Sequence, residues 1–383
     1  WYNLTMPTII FGGAFDPPHN EHVKALECAV RTFGAERAVI LPTFLPPHKS
    51  EGFLDFDTRA ELARIAFADA GAEVVVDKTE KERGKDNYAY LLLGEMKKKY
   101  GDIVYLIGGD SLRDLGTWRS PEKILAECPV AVAPREGCGD AATQRAEVLK
   151  RYGGEIVLLD FMGGAASSGR VKAQLLLGTE CRDIPKGVAE YIRQHGLFRD
   201  YEEWVARLKG METEELFAHS AAAVMRAVDL NSRHNLKLNF RKVFEAALLH
   251  DNAKQRPSLD GLDVPADSVG TPVLHQFLGA EKAKRDFGVT DEDSLGAIRY
   301  HTTAKPGMTA LEKLIYTADS TSYDREYAPI PALRAATDAD FEQGFREVLA
   351  FTYRKLKRKG GAVYPLTEEA VKYYLPELYA ELG

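Results

Sequence analysis

The feature that most constrains this chain is a change of texture near residue 200. Up to that point short runs rich in Val and Ile alternate with stretches of helical periodicity; beyond it only the helical patterns continue. Thr8–Phe11, Arg37–Leu41, Glu73–Asp77, Ile103–Ile107, Pro129–Ala133 and Glu155–Leu159 are the candidate strands. Between the first two, Val23, Leu26, Val30 and Phe33 recur at the spacing that gives a helix one apolar face. Repeated βα units of this kind predict a Rossmann-like parallel sheet covered by helices, with a ligand crevice at the carboxyl ends of its strands. The second half, with patterns such as Glu214–Val228 and Val243–His250, predicts an all-helical domain. A charged stretch without strand signal, Phe198–Thr213, lies between, so the expected domains are 6–200 and 201–383.

Composition narrows the class. A hydrophobic fraction of 45% and a charged fraction of 28% are those of a globular protein with a core. A net charge of −7 argues against broad nucleic-acid binding, although it leaves room for a local basic pocket for phosphates. No apolar run has the length of a membrane span, and the first residues lack a charged-then-apolar signal pattern. Cys28, Cys128, Cys138 and Cys181 show no paired metal-ligand spacing, which fits a reducing, cytoplasmic setting without structural disulfides. Asn3-Leu4-Thr5 has the form of a glycosylation acceptor but reads as chance, and the residues before Met6 read as extra to the fold.

The segment Gly12-Gly13-Ala14-Phe15-Asp16-Pro17-Pro18-His19-Asn20-Glu21-His22 joins the first strand to its helix. Glycines there let the backbone approach a phosphate, and the helix start adds free N–H groups and a favourable dipole. His19 and His22, three residues apart, face one side and can donate to phosphoryl oxygens as charge builds up in the transition state. The stretch resembles the HxGH nucleotidyltransferase superfamily, and within it the bacterial nicotinate-nucleotide adenylyltransferases. Further segments agree in order: Pro42–Lys49 with His48 and Lys49, Gly108-Gly109-Asp110-Ser111-Leu112 with Trp118 beyond, and Ala166–Lys172. The resemblance implies adenylyl transfer from ATP, with Mg2+, to nicotinate mononucleotide. It makes Gly12, Gly13, Phe15, His48, Lys49, Gly108, Asp110, Trp118, Ser167, Ser168, Arg170 and Lys172 nucleotide contacts. Taken singly, Asp110 is equally a helix cap, Trp118 a packing residue, and His48 and Lys49 a loop tip.

Three positions depart from the family. Glu21 replaces the glycine of the paired-histidine motif, Asn87-Tyr88-Ala89 replaces Ser-Tyr-Thr, and Lys172 replaces a late arginine that Arg170 could supply. A degenerate, non-catalytic nucleotide-binding module is therefore the rival reading of this half. A preference for nicotinate or nicotinamide mononucleotide stays open.

In the second half, His219, His250-Asp251, His275, His301 and Asp319 form an ordered set of imidazoles and carboxylates, the donors that suit divalent first-row metals. Two ions about 3.5–4 Å apart can activate a water and clamp the phosphate it attacks. His234 fits no part of the pattern and reads as a surface residue. The set resembles the HD superfamily of metal phosphohydrolases, and within it the symmetrical diadenosine tetraphosphate hydrolases, through Leu248–Lys254, Val273-Leu274-His275, Ala297–Thr303, Met308–Asp319 and Arg325. The resemblance implies that His219, His250, Asp251 and Asp319 hold one ion, and that His275 and His301 hold a second that shares Asp251. Iron, manganese and zinc all suit the set. It also makes Lys254, grouped with Asp251 as catalytic, and Arg325 phosphate contacts, and diadenosine tetraphosphate a substrate that yields two ADP. Other nucleotide phosphates, such as a mononucleotide or an alarmone, remain alternatives, since Asn252, Gln276 and Ser320–Tyr323 depart from the group. A homodimer is compatible with this reading.

Overall fold

All six Val- and Ile-rich runs form strands: β1 (Thr8–Gly13), β2 (Arg37–Pro42), β3 (Glu73–Val76), β4 (Ile103–Gly108), β5 (Val130–Ala133) and β6 (Ile156–Leu158). The structure, a computed structural model, describes residues 6–44, 54–85, 87–255 and 257–383. His48, Lys49 and the Asn3–Thr5 acceptor lie outside the described residues. The strands pair in parallel in the order β3-β2-β1-β4-β5-β6, with Ile9 opposite both Ala38 and Val104. A sheet covered on both faces needs near-continuous apolar strands. Ile9, Ile10, Val39, Ile40, Val104 and Leu106 are accordingly fully buried. Strand order reverses between β1 and β4, the place where a crevice forms in doubly wound sheets. β1 ends on Gly12-Gly13 and β4 on Gly108, so both glycine motifs stand at that switch point.

The chain folds into two compact units. One comprises residues up to Lys172 together with Glu180–Phe198, and the other Ala173–Thr179 with Arg199–Gly383. Among its described residues the second unit contains no strand. Side-chain caps start its helices: Thr213 accepts from Leu216 N–H, Asn239 from Arg241 and Lys242, and Asp291 from Ser294. Thr309 and Glu312 form a reciprocal capping box. The charged stretch at the expected boundary contains the helix Glu202–Met211, because Val205 and Leu208, three residues apart, give it an apolar stripe that is buried. Among the described residues no helix is long and apolar enough to cross a membrane, and all four cysteines are free thiols.

In the first unit a buried guanidinium organises the switch-point loops. Arg59, 2% exposed on the helix Phe56–Ala66, donates to the carbonyls of Ala14 at 2.7 Å, Leu54 at 2.9 Å and Phe44 at 3.4 Å. One side chain thus holds the loop after β1 against residues on either side of 45–53. Leucine in its place would leave those carbonyls without a donor. Arg59→Leu is expected to destabilise the first unit by about 3 kcal/mol, read as a lowered midpoint in urea unfolding; an unchanged midpoint would contradict this role.

Candidate active sites

The loop after β1 is held in a conformation that its sequence alone disfavours. Phe15 has φ 48°, a left-handed backbone that is uncommon for a bulky residue. Its ring is 1% exposed and packs edge-on against Phe11, Phe67 and His22 at 5.3–5.4 Å between centroids. Gly13 is needed for this packing: a Cβ there would lie 3.0 Å from the Phe15 ring. The loop delivers His19 to the N-cap of the helix Asn20–Phe33 and His22 to its first turn. The two imidazoles stack with centroids 3.6 Å apart.

Their protonation follows from their surroundings. His22 Nδ1 accepts the backbone N–H of His19 at 3.2 Å, so the ring's proton sits on Nε2. Burial and the positive charge of Arg135 push His19 down to about 3. Burial, His19 and Arg135 hold His22 well below the usual histidine range. Both rings are neutral hydrogen-bond donors at neutral pH rather than cations. Arg135, just beyond β5, escaped the sequence reading; its guanidinium donates to the Ala166 carbonyl at 2.7 Å. The close approach behind it requires Gly109, where a Cβ would lie 3.2 Å from the Arg135 backbone nitrogen.

The late motif joins the first one through two contacts. Ser168 Oγ donates to the Pro17 carbonyl at 2.9 Å, and Lys172 Nζ pairs with Asp16 at 2.7 Å. Lys172, expected near the ATP phosphates, is engaged by Asp16. Both it and Asp16 are under a tenth exposed, and a buried Asp16 without it would be an uncompensated charge. Ser167 Oγ accepts the Arg170 N–H at 3.1 Å. Glu21 does not present a free acid to the histidines: it pairs with Lys24 at 2.8 Å and accepts the Gly164 N–H at 3.0 Å. Gly108 rather than Asp110 caps the helix Gly109–Asp114, leaving Asp110 exposed in its first turn. Trp118 is half-buried and packs against the core beneath the sheet. Asn87 bonds to the Glu80 carbonyl at 2.9 Å, a structural use for that departure.

In the second unit the six expected donors converge. His219 lies on the helix Glu214–Arg233, His250 and Asp251 at the end of Phe240–Leu249, and His275 in the first turn of Leu274–Phe287. His301 follows Glu292–Arg299, and Asp319 lies near the end of Ala310–Ser320. Asp251 is 0% exposed and its two oxygens face different partners. Oδ1 lies 3.4 Å from His275 Nε2 and 3.3 Å from His301 Nε2. Oδ2 lies 3.7 Å from His219 Nε2, 3.5 Å from His250 Nε2 and 2.5 Å from Lys254 Nζ. Asp319 Oδ1 lies 2.9 Å from His219 Nε2 and accepts from Arg325 at 2.6 Å.

The donors fit divalent ions. Nδ1 of His250, His275 and His301 lies 2.8, 2.8 and 2.7 Å from the carbonyl three residues earlier, of Ala247, Pro272 and Ile298. A carbonyl only accepts, so each Nδ1 carries a proton and each Nε2 is left as the donor atom. Those Nε2 atoms face one another, His250 to His219 at 3.4 Å and His275 to His301 at 3.2 Å. Asp251 Oδ1 is buried without a hydrogen-bond partner among the described residues. Opposed lone pairs around an orphaned carboxylate oxygen call for cations. Two clusters, His219-His250-Asp319 and His250-Asp251-His301, have all donor atoms within 4.8 Å of one another.

Electrostatics agree. Burial would lower His250, but Asp251 and Asp319 outweigh it and raise the group to about 10. Against burial, the surrounding histidines hold Asp251 and Asp319 far below the usual carboxylate range. Burial and His301 push His275 down to about 4. Asp324, missed in the sequence, accepts from His219 Nδ1 at 2.9 Å and fixes that ring as the carbonyls fix the others. Gln276 braces the turn after His301, accepting the N–H groups of Thr302 and Thr303 at 3.1 Å. His234 is half-buried rather than superficial, its Nε2 2.7 Å from the Thr337 carbonyl, and stands apart from the cluster.

The two sites define two classes of protein, and family comparison gives the same pair: a cytidylyltransferase-like model matches residues 10–174 and an HD-domain model residues 216–324. A "Probable nicotinate-nucleotide adenylyltransferase" of Citrifermentans bemidjiense is 33% identical over 50% of this chain and 97% of its own length. The symmetrical bis(5'-nucleosyl)-tetraphosphatase of Bacillus subtilis is 34% identical over 43% of this chain and 92% of its own. The chain belongs to both of these families. A Mycoplasma genitalium protein named "Probable nicotinate-nucleotide adenylyltransferase/Ap4A hydrolase" matches it across 83% of this chain and 88% of its own length, at 25% identity.

Because His19 is pushed down to about 3 from an ordinary 6.5, its neutral form persists in the folded state and its share of stability is lost as pH falls below 6.5. Histidine-ring NMR is expected to show no titration of His19 above pH 5; a midpoint near 6.5 would refute the buried, neutral assignment. Asp324→Asn is expected to weaken metal binding about 10–100-fold in chelator competition, with the fold retained by circular dichroism. Unchanged affinity would mean that the carboxylate does not orient His219.

Proposed function

We propose that this chain is a bifunctional nucleotide enzyme. Residues 6–200 transfer an adenylyl group from ATP to nicotinate mononucleotide, and residues 201–383 hydrolyse dinucleoside tetraphosphates such as diadenosine tetraphosphate to two nucleoside diphosphates. The observation that carries the reading is the division of buried Asp251 between two sets of donors, His219 and His250 on one oxygen and His275 and His301 on the other. That arrangement suits a pair of ions with a bridging carboxylate, which phosphate-ester hydrolysis uses.

In the hydrolase, His219, His250, Asp251 and Asp319 would hold one ion, and Asp251, His275 and His301 the other; iron is our first choice, before manganese and zinc. When bound, such ions supply Lewis acidity and make a water nucleophilic near neutral pH. Water adds across the central P–O–P link: its oxygen bonds to one phosphorus, the bridging oxygen leaves with the electron pair, and the proton ends on that half. Lys254 and Arg325, already lying on the donor carboxylates, neutralise charge gathering on the phosphates.

In the transferase, a phosphate oxygen of the mononucleotide attacks the α-phosphorus of ATP, and the bond to pyrophosphate breaks with its electron pair. His19 and His22 donate N–H bonds to the oxygens that gain charge, with Arg135 behind them. Gly12, Gly13 and Phe15 shape the phosphate loop, while Ser167, Ser168 and Arg170 approach the triphosphate and its Mg2+. Gly108, Asp110 and Trp118 receive the acceptor nucleotide, and His48 and Lys49 are further contacts. Lys172, paired with Asp16, is a further triphosphate contact. The engagement of Lys172 is what favours the rival, non-catalytic module, whereas the neutralised Glu21 favours turnover. The same composition and charge lead us to propose a cytoplasmic location and no nucleic-acid partner.

The test is to assay the full chain for both reactions beside His19→Ala and His250→Ala. His19→Ala is expected to lower deamido-NAD formation about 10²–10³-fold and spare hydrolysis. His250→Ala is expected to abolish ADP release with loss of metal and spare transfer. Nucleotide binding without transfer by the unaltered chain would select the non-catalytic module; bound metal without ADP release would require another phosphate ester.

A further inference from the structure

One acid of the second unit, Glu212, is neither a metal donor nor part of an ion pair among the described residues. Glu212 ends the helix Glu202–Met211 and immediately precedes Thr213, the cap of the helix that carries His219. Both of its carboxylate oxygens are buried, with no hydrogen-bond partner among the described residues. A carboxylate stripped of water without compensation is costly, so a buried one in this state calls for a hydrogen-bond donor at its tip. After burial, the strongest influences on its carboxyl are the charges of His250, Asp251, His219 and Lys254, all groups of the second site.

The position is fixed by its neighbour. Thr213 N–H donates to Gln255 Oε1 at 3.0 Å, and Gln255 Nε2 donates to Thr213 Oγ1 at 2.8 Å. This reciprocal pair ties the segment to the turn that follows Asp251 and Lys254. Glu212 is in neither cluster of mutually close donors, so the geometry does not make it a ligand. It is an acceptor, and an anion facing phosphate directly would be repelled. A water held between the carboxylate and the donor cluster meets both conditions.

Resting on the hydrolase reading, we propose that Glu212 is a further catalytic residue of the second site, accepting a hydrogen bond from the attacking water and aiming it at the central P–O–P link. The carboxylate forms no bond to phosphorus; it fixes the direction of the water's lone pair and receives the hydrogen that points away from phosphorus. Burial raises its carboxyl to about 7, against the lowering charges of His250, His219 and Lys254.

The full chain, reconstituted with manganese, is compared with Glu212→Gln and Glu212→Leu for kcat and KM on diadenosine tetraphosphate, metal content by elemental analysis, and adenylyl transfer as a control on folding. Both variants are expected to keep the metal stoichiometry, a KM within about twofold and full transfer activity. On the same loaded proteins, kcat is expected to fall about 10-fold in the glutamine variant, which keeps an acceptor oxygen, and about 100-fold in the leucine variant. A kcat unchanged in the leucine variant overturns the proposal. Metal lost in step with activity also overturns it, by making Glu212 a ligand or a structural group. An unaltered chain that holds metal but leaves the tetraphosphate intact overturns the hydrolase reading itself, before any variant is compared.

Discussion

Buried negative charge is the constraint around which both sites are arranged. In the second unit Asp251 has no exposed surface, and four imidazoles and a lysine crowd its two oxygens. Such a carboxylate cannot remain ionised in an apolar interior unless positive charge reaches it, and removing that compensation costs several kcal/mol. Lys254 supplies part of it, and Asp251 with Asp319 raises His250 to about 10 in return. A divalent cation among the same donors would compete with protons for them, so metal binding would be coupled to their protonation.

The first unit meets the requirement with an ion pair to a lysine. Asp16 and Lys172 are 156 residues apart in the chain, yet both are buried at 2.7 Å. Their contact fastens the loop after β1 to the segment that begins at Ser167, which Ser168 reinforces through the Pro17 carbonyl. Arg59 performs the corresponding task with neutral carbonyls. The paired histidines sit between these fastenings, and their neutrality follows from the same exclusion of water together with a nearby guanidinium.

Much of this was legible in the sequence because it is local. Val and Ile alternating with helical periodicity located all six strands to within two residues at either end. The order of His219, His250, Asp251, His275, His301 and Asp319 indicated a set of donors that the fold does bring together. What was not legible depends on pairing across the fold. Nothing around Lys172 announces that Asp16 will claim its ammonium, and nothing around Asp324 announces a distant imidazole 105 residues earlier. Arg135 stands in a short stretch of ordinary composition and matters only because β5 ends beside the β1–β4 switch point. Likewise, the stripe of Val205 and Leu208 was too short to separate from the charges surrounding it.

The carbonyl clasps on His250, His275 and His301 have an evolutionary consequence. The groups that set these tautomers belong to the main chain of Ala247, Pro272 and Ile298, and every amino acid carries the same carbonyl. Lineages can therefore exchange the side chains at those three positions while keeping the imidazoles correctly presented, provided that the backbone keeps its course. Proline at 272 illustrates this freedom, since it gives up an N–H but not the oxygen that is used. His219 has no such latitude: its tautomer depends on the side chain of Asp324, so drift at that one position is felt directly at the ring.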